Sequence, residues 1–476
     1  MQQFLLDVVG SINDIFWSYI LIVMLVVLGL FFTFKGGFLQ IRMIKDMLQA
    51  IREGKKGSAA DSITPFQAFC ISMAARVGTG NITGIAIAVA LGGPGAVFWM
   101  WVIAIIGSAS AFVESTLAQI YKIKDKDGFR GGPAYYMEKG LNKRWMGALF
   151  AVLITLSFGL VFNAVQSNTI TLAFENSFGT DRLTVGLIMT IAFAAIIFGG
   201  VKRIAKASEY IVIVLAILYI GVALLIVLMN IDKMPEMLAL IVKSAFGLEQ
   251  VAGGTLGAAL MHGVKRGLFS NEAGMGSAPN AAATATTSHP VKQGLIQAFG
   301  VLTDTLIICT STAFIILLSG AYKQSELSGI ELSQAALSIH LGDWASATLA
   351  VMVFLFAFST LIGNYYYGET NIEFLKTSKA WLLLYRISVL GMVLFGAVAK
   401  VQLVWDLADL FMGLMVVVNL IAIFMLSKVA FAALRDYQEQ KKAGKDPVFY
   451  SDTIPGAGNL EAWEASPAAA KKERIG

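Results

Sequence analysis

Stretches of about 20 consecutive apolar residues recur along most of this chain, and that recurrence restricts its fold more than any motif does. A helix needs roughly that length to cross a hydrocarbon layer about 30 Å thick, where every backbone amide must find its partner within the protein. The composition agrees: 57% of the 476 residues are hydrophobic and 14% are charged, a ratio that one soluble core cannot hide. A transmembrane barrel would show short segments of alternating polarity instead. The sequence therefore reads as an all-α polytopic membrane protein with the lipid bilayer as its solvent.

Apolar stretches bounded by charge, glycine or proline give about eleven transmembrane spans, near 16–34, 66–91, 95–121, 145–174, 183–200, 207–230, 252–283, 292–319, 344–375, 380–399 and 403–432. No basic segment precedes the first and no small-residue cleavage site follows it, so it is read as a retained helix and not a signal. Basic residues follow the first, third, fifth, ninth and eleventh spans. They are Lys35, Arg42, Lys45, Arg52, Lys55 and Lys56; Lys122, Lys124, Lys126, Arg130, Lys139, Lys143 and Arg144; Lys202, Arg203 and Lys206; Lys376 and Lys379; and Lys428, Arg435, Lys441 and Lys442. The alternate connections are short, like Gly92-Gly93-Pro94-Gly95, or mixed in sign, like 232–243 and 323–343. The positive-inside rule then puts the N-terminus outside and the C-terminus in the cytoplasm of a cell (inner) membrane.

The net charge of +5 is spread over loops, so nucleic acid is not an expected partner, and no obligatory protein partner is evident. Cys70 and Cys309 lie in apolar surroundings, and His262, His289 and His340 lack metal-ligand spacing, which argues against a disulfide framework and a zinc or iron centre. The tail from about Arg435, with its Lys, Glu, Pro447, Pro455 and Pro467, reads as a soluble, weakly ordered extension.

Setting the first span aside leaves five plus five, so the second half crosses the membrane in the opposite sense to the first. The expected organisation is an extra helix and basic loop at 1–60, inverted repeats at 61–230 and 231–433, and a cytoplasmic tail at 434–476. The opening helix of each repeat is the one most interrupted, by Gly78-Thr79-Gly80-Asn81 in one and by the run from Ser270 to Ser277 in the other. Paired broken helices in corresponding places of inverted halves point to a transport site at the bilayer midplane.

In the string Arg76 to Asn81, glycines let a helix unwind, freeing amide N–H groups for a carboxylate while carbonyls turn toward a cation. Gly80 and Gly84 also fit a small-residue packing pair; Thr79, Asn81 and the matching second break favour the ligand site. No βαβ unit surrounds the glycines, which excludes a dinucleotide loop. The polar run Ser270 to Ser277 lines a cavity or forms a re-entrant turn, and Glu272 could pair with Arg76. Asn163, Gln166 and Asn168 on one helix, and Ser359, Thr360 and Asn364 on its counterpart, either face the site or join helices. Glu114, Asp304 and Glu369 are intramembrane carboxylates with functional and structural readings in balance, and they are left out of the candidate site. No phosphate-binding loop is present to power transport with ATP, and no nucleophile–base pair, metal set or carboxylate pair suggests an enzyme. A passive channel would need a continuous polar pore, whereas the breaks are clustered; a receptor would bind without net flux.

Three strings, Arg76-Val-Gly-Thr-Gly-Asn-Ile-Thr-Gly84, Gly92-Gly-Pro-Gly-Ala-Val-Phe-Trp-Met-Trp101 and Gly267-Leu-Phe-Ser-Asn-Glu-Ala-Gly-Met-Gly-Ser-Ala-Pro279, resemble those of the sodium:alanine (alanine or glycine:cation) symporter family of the amino acid/polyamine/cation carrier superfamily. The resemblance runs from about residue 10 to 435. It implies a ten-helix inverted-repeat, LeuT-like core preceded by one extra helix, and uptake of alanine, glycine or a related small neutral amino acid by alternating access, with Na⁺ as coupling ion and no organic cofactor. It further implies that Thr79 and Gly80 bind the substrate carboxylate through backbone amides, that Asn271 lies beside the substrate, and that Gln166 and Thr360 complete the pocket. Na⁺ would meet carbonyls around Ala74 and Val77 and a hydroxyl of Ser359 or Thr360. Asn364 departs from the family pattern, in which many alanine-type members have Trp just before the string that here reads Tyr365 to Glu369. A shorter polar residue enlarges and wets the pocket, which makes glutamine or another larger neutral amino acid a competing substrate. H⁺ in place of Na⁺ stays open.

Overall fold

The computed structural model describes residues 2–55, 63–125, 128–198, 201–248, 255–324, 326–376, 378–458 and 460–467. Lys56, Lys126, the boundary near 60, the span edges 199–200 and 252–254, and residues 468–476 lie outside the described residues. Helices stand at each of the predicted stretches, and the one sheet among the described residues is a hairpin, Ile123–Asp125 antiparallel to Gly128–Arg130. Among the described residues, seven helices are long and apolar enough to cross a membrane, or nine if each bent pair is one span. Arg182–Ile197, with 16 residues, is shorter than the spanning length, and the second broken helix carries Lys265, Arg266 and Glu272, so the count of eleven crossings rests on the sequence reading.

The elements that build the site are, in chain order, α1 (Val8–Lys35), α2 (Pro65–Arg76), α3 (Gly80–Gly92), α4 (Gly95–Ile120), α5 (Arg144–Phe178), α6 (Leu256–Asn271), α7 (Ala278–Ala282), α8 (Pro290–Ser319), α9 (Trp344–Leu375), α10 (Lys379–Val398) and α11 (Val401–Lys442). Thr64 starts α2 with a capping box: its hydroxyl accepts from Gln67 N at 3.1 Å while Gln67 Oε1 accepts from Thr64 N at 3.2 Å, and Pro65 takes the first helical position. The two interrupted helices, α2/α3 and α6/α7, are buried around their breaks, over 70–86 and 266–285. Their depth follows from small residues. A Cβ on Gly263 would come within 2.4 Å of Ala96 O, and one on Gly267 within 2.9 Å of the Ile103 side chain, so α6 rests directly on α4. The periphery is the reverse, with Ile188, Ile191, Leu384 and Ile387 exposed as a lipid-facing belt.

Two predicted loops contain helices. Met234–Ala245 occupies 232–243 at 78° to the preceding Ile217–Met229, because Met237, Ile241 and Ala245, one turn apart, form an apolar stripe that packs on the start of α4. Gly329–Leu341 fills 323–343 in the same way, burying Ile330 and Leu337.

The described residues after 434, up to 467, are docked on the helices and not weakly ordered. Helix α11 continues to Lys442, and the chain beyond it buries Phe449, Ile454 and Leu460. Phe449 N donates to Ser288 O at 2.9 Å and Trp463 Nε1 to Gln119 O at 3.1 Å. Trp463 also lies 5.0 Å from Lys122 Nζ, whose ammonium donates to Gln119 Oε1 (2.7 Å) and Ala285 O (2.8 Å); burial pulls the pKa of this lysine down to about 7. Charge and proline dominate the tail's composition, and the widely spaced apolar anchors that dock it escape a compositional reading.

Candidate functional site

Helix α2 ends where Val77 leaves helical geometry (φ −81°, ψ 86°), and the chain resumes with a short π-helical turn, Gly80–Gly84, that opens α3, which runs at 51° to α2. The break frees donors and acceptors. Gly78 N donates to Asn81 Oδ1 (3.0 Å) and Thr79 N to Gln166 Oε1 (3.1 Å). On the other side, Thr360 Oγ1 on α9 lies 2.9 Å from Ala74 O, 3.3 Å from Val77 O and 3.1 Å from Phe356 O, while Ser359 Oγ donates to Phe356 O at 2.7 Å. Three carbonyls and two hydroxyls thus converge with fewer protons than lone pairs, a donor set suited to a hard monovalent cation. Glycine at 78 leaves room for these side chains, since a Cβ there would sit 2.3 Å from Thr360 Oγ1 and 3.0 Å from Gln166 Oε1 and displace them.

The second break follows Asn271. Glu272 adopts a left-handed φ of 57°, Gly274 and Gly276 follow at 83° and 81°, and helix resumes at Ala278. Alternate N–H groups here form an anion cradle filled by Glu114 of α4, whose carboxylate accepts from Gly274 N (3.1 Å), Gly276 N (3.0 Å) and Asn419 Nδ2 (2.8 Å). Glu272 accepts from Ser277 Oγ at 2.5 Å. Asn271 donates to Thr305 Oγ1 (3.1 Å) and accepts from Ala273 N (3.0 Å), which fixes its amide across the break.

The two breaks touch. A Cβ on Gly80 would lie 3.0 Å from the Phe269 ring and 3.3 Å from Ser270 Cα. Asp304 of α8, at the start of another π-helical turn, clamps them by accepting from Asn81 Nδ2 and Ser270 Oγ, both at 2.7 Å. Arg76 is buried, with Nη1 reaching Gln297 O at 3.5 Å and Nε and Nη2 without a hydrogen-bond partner; among the described residues it makes no ion pair with Glu272.

Of the remaining polar candidates, Gln166 and Thr360 meet at the first break, as above. Asn163 bonds to Gly159 O of its own helix (2.9 Å), and Asn168 joins α5 to α10 through Gly396 O and Ala399 O (both 2.8 Å), away from the breaks. Asn364, one turn beyond Thr360, is wholly buried with neither Nδ2 nor Oδ1 hydrogen-bonded, and Thr79 Oγ1 is unpartnered too.

The profile of the sodium:alanine symporter family matches residues 2–451. The chain belongs to that family. It is 72% identical to a probable sodium/glutamine symporter of Bacillus subtilis, GlnT, over 98% of both chains, and 54% identical to the amino-acid carrier protein AlsT of the same organism over 98% of this chain and 99% of that one. The sodium/alanine symporter AgcS of Methanococcus maripaludis is 38% identical over 92% of this chain and 98% of its own. Among solved structures, a manganese transporter of Eremococcus coleocola superposes with a TM-score of 0.49 at 13% identity, over 86% of this chain and 82% of that one. The family is one of transporters, so this member is an integral membrane carrier and not an enzyme.

Sequence reasoning passed over several residues that the fold brings to this member's breaks. Glu114 and Asp304 were visible as intramembrane carboxylates, but a lone charge does not reveal whether it faces a break. Phe269 packs between Phe162 (4.7 Å) and Trp405 (4.9 Å) beside Gly80, and three residues earlier Arg266 pairs with Asp409 at 2.5 Å, with Lys265 on the same carboxylate at 2.7 Å. An arginine and an aspartate inside apolar spans 143 positions apart were the available signal.

Proposed function

We propose that this protein is a Na⁺-coupled symporter of the cell membrane that takes up a neutral amino acid by alternating access, with glutamine as its preferred substrate. In this reading the α-carboxylate takes the N–H groups of Thr79 and Gly80, displacing Gln166 Oε1 from Thr79 N, because a charged acceptor makes the stronger bond. Na⁺ is held by the carbonyls of Ala74, Val77 and Phe356 with the hydroxyls of Ser359 and Thr360. Asn271 flanks the substrate. Residues 61–230 and 231–433 act as inverted halves that rock about the paired breaks, with 1–60 as an added helix, the N-terminus outside, and 434–476 in the cytoplasm.

The observation that carries coupling is a single point. The position of the absent Gly78 Cβ lies within 3.0 Å of both Thr360 Oγ1 and Gln166 Oε1, so the ion's ligand and the substrate's ligand meet at one unwound turn. Whichever ligand arrives first orders the backbone that the other needs. Replacing Thr360 by valine removes one ion ligand and is expected to raise the Na⁺ concentration for half-maximal uptake on the order of 10- to 100-fold, with Thr360→Ser restoring it. An unchanged Na⁺ dependence in proteoliposomes would remove Thr360 from the ion site.

Glutamine is supported by Asn364, whose unpaired buried amide offers one donor and one acceptor face to the side-chain amide of a glutamine, and by the 72% identity to a probable sodium/glutamine symporter. Alanine or glycine, with no such group, gains nothing from it. Uptake of a labelled neutral amino acid panel under an imposed Na⁺ gradient is expected to favour glutamine, and Asn364→Leu to lower its uptake roughly 30- to 100-fold while leaving alanine unaffected, two lost hydrogen bonds being worth about 2–3 kcal/mol. Accumulation of alanine but not glutamine would overturn the substrate, and stimulation by a proton gradient alone would overturn the ion.

A further inference from the structure

A groove of about 600 Å³ opens between the end of α1 and the second half of α11. Its walls are of two kinds. Phe31, Phe424, Met425 and Phe431 form an apolar surface, with Phe31 edge-on to Phe424 at 5.3 Å, and Lys35, Lys428 and Arg435 stand around it as cations. The arrangement is built into the helices. Positions 424, 428, 431 and 435 share one face of α11, and positions 31 and 35 are one turn apart on α1.

None of the three cations has an ion-pair or hydrogen-bond partner among the described residues. Three unneutralised like charges around one cleft repel each other and attract an anion. Lys35 is the last residue of α1, so the cations lie where the apolar span gives out, while Phe424 (46% exposed) and Met425 (49%) open the groove toward the hydrocarbon. The occupant must therefore be anionic at one end and apolar at the other.

We propose that this groove binds an anionic phospholipid, its phosphate-bearing head group held by Lys35, Lys428 and Arg435 and an acyl chain lying on Phe31, Phe424, Met425 and Phe431. Such a lipid fastens α1, the helix outside the two repeats, to the last span. Each basic residue near an anionic head group contributes a factor of about five, so three give a preference on the order of 100-fold over a zwitterionic lipid with the same chains.

The test is native mass spectrometry of the purified full-length protein in detergent, offered equal amounts of phosphatidylglycerol and phosphatidylcholine with identical acyl chains. Phosphatidylglycerol is expected to be retained in preference, and the triple variant Lys35→Gln/Lys428→Gln/Arg435→Gln to lose that preference on the order of 100-fold, while Lys35→Arg/Lys428→Arg keeps it. Because the three side chains have no partners, the lipid-free unfolding temperature of the triple variant should stay unchanged, which separates lost binding from lost folding. Excess inorganic phosphate should not displace the lipid, since it lacks the chain. Equal binding of the two lipids, equal retention by the triple variant, displacement by phosphate alone, or a change of oligomeric state in place of lipid loss would each overturn the proposal.

Discussion

Replacing Gly80 by leucine is expected to bring Na⁺-driven uptake below about one hundredth of the wild-type rate while the protein still inserts into the membrane and purifies as a single species. The reason is steric and local. A Cβ at this position already lies 3.0 Å from the Phe269 ring and 3.3 Å from the backbone of Ser270, and leucine adds three more carbons in the seam where the two broken helices touch. The phenyl ring can yield a few tenths of an ångström; the Ser270 backbone, tied through its hydroxyl to Asp304, cannot. Overpacking of this kind costs about 1–3 kcal/mol in folding energy, which a chain of this size survives. A shift of about 1 Å in aligned binding groups costs on the order of 100-fold in function, so the site fails before the fold does. Gly80→Ala should give a graded defect, because only the Cβ itself has to be fitted beside the ring and the Ser270 backbone. Normal uptake by the leucine variant in proteoliposomes would show that the seam is not where the ligands bind.

The parts of this site that a sequence can display are those that violate the rule for a lipid-buried helix. Glycines at 78 and 80, and the polar run 270–277, stand out because an apolar span has no other use for them. Their contact through Gly80 and Ser270 follows from the positions of the breaks. Carbonyl groups are harder to read. The carbonyls of Ala74 and Val77 entered only through family resemblance, and that of Phe356 not at all, because every residue has one and only the backbone path decides which turn inward. Asn168 shows where residue type alone stops: an amide in an apolar span can face a site or join helices, and this one ties two helices together. The tail was misread for a similar reason, since composition averages away Phe449 and Trp463, the residues that anchor it.

Glu114 makes the sharpest separate prediction, because it is a carboxylate whose work in the fold is to hold backbone rather than a ligand. Its two oxygens accept from Gly274 N, Gly276 N and Asn419 Nδ2 in a fully buried setting, and the first two of these are amides that the second break has deprived of helical partners. Glu114→Ala leaves both without an acceptor, at about 1–3 kcal/mol each, so a loss of roughly 2–6 kcal/mol is expected, a large share of the stability of an ordinary folded chain. Asn419 suffers less, because its amide also donates to Gly274 O at 2.9 Å. Glu114→Gln keeps one carbonyl oxygen but turns an NH₂ group toward an N–H, so its loss should fall between wild type and alanine. The measurement is thermal unfolding of the purified variants in one detergent, with the alanine variant melting several degrees lower and the glutamine variant between. The two glycines at positive φ can hold that geometry without strain but cannot satisfy their own N–H groups, so an anion must do it. If Glu114→Ala melts at the wild-type temperature, water fills the cradle as well as the carboxylate does, and the second break is a hydrated turn and not a braced one.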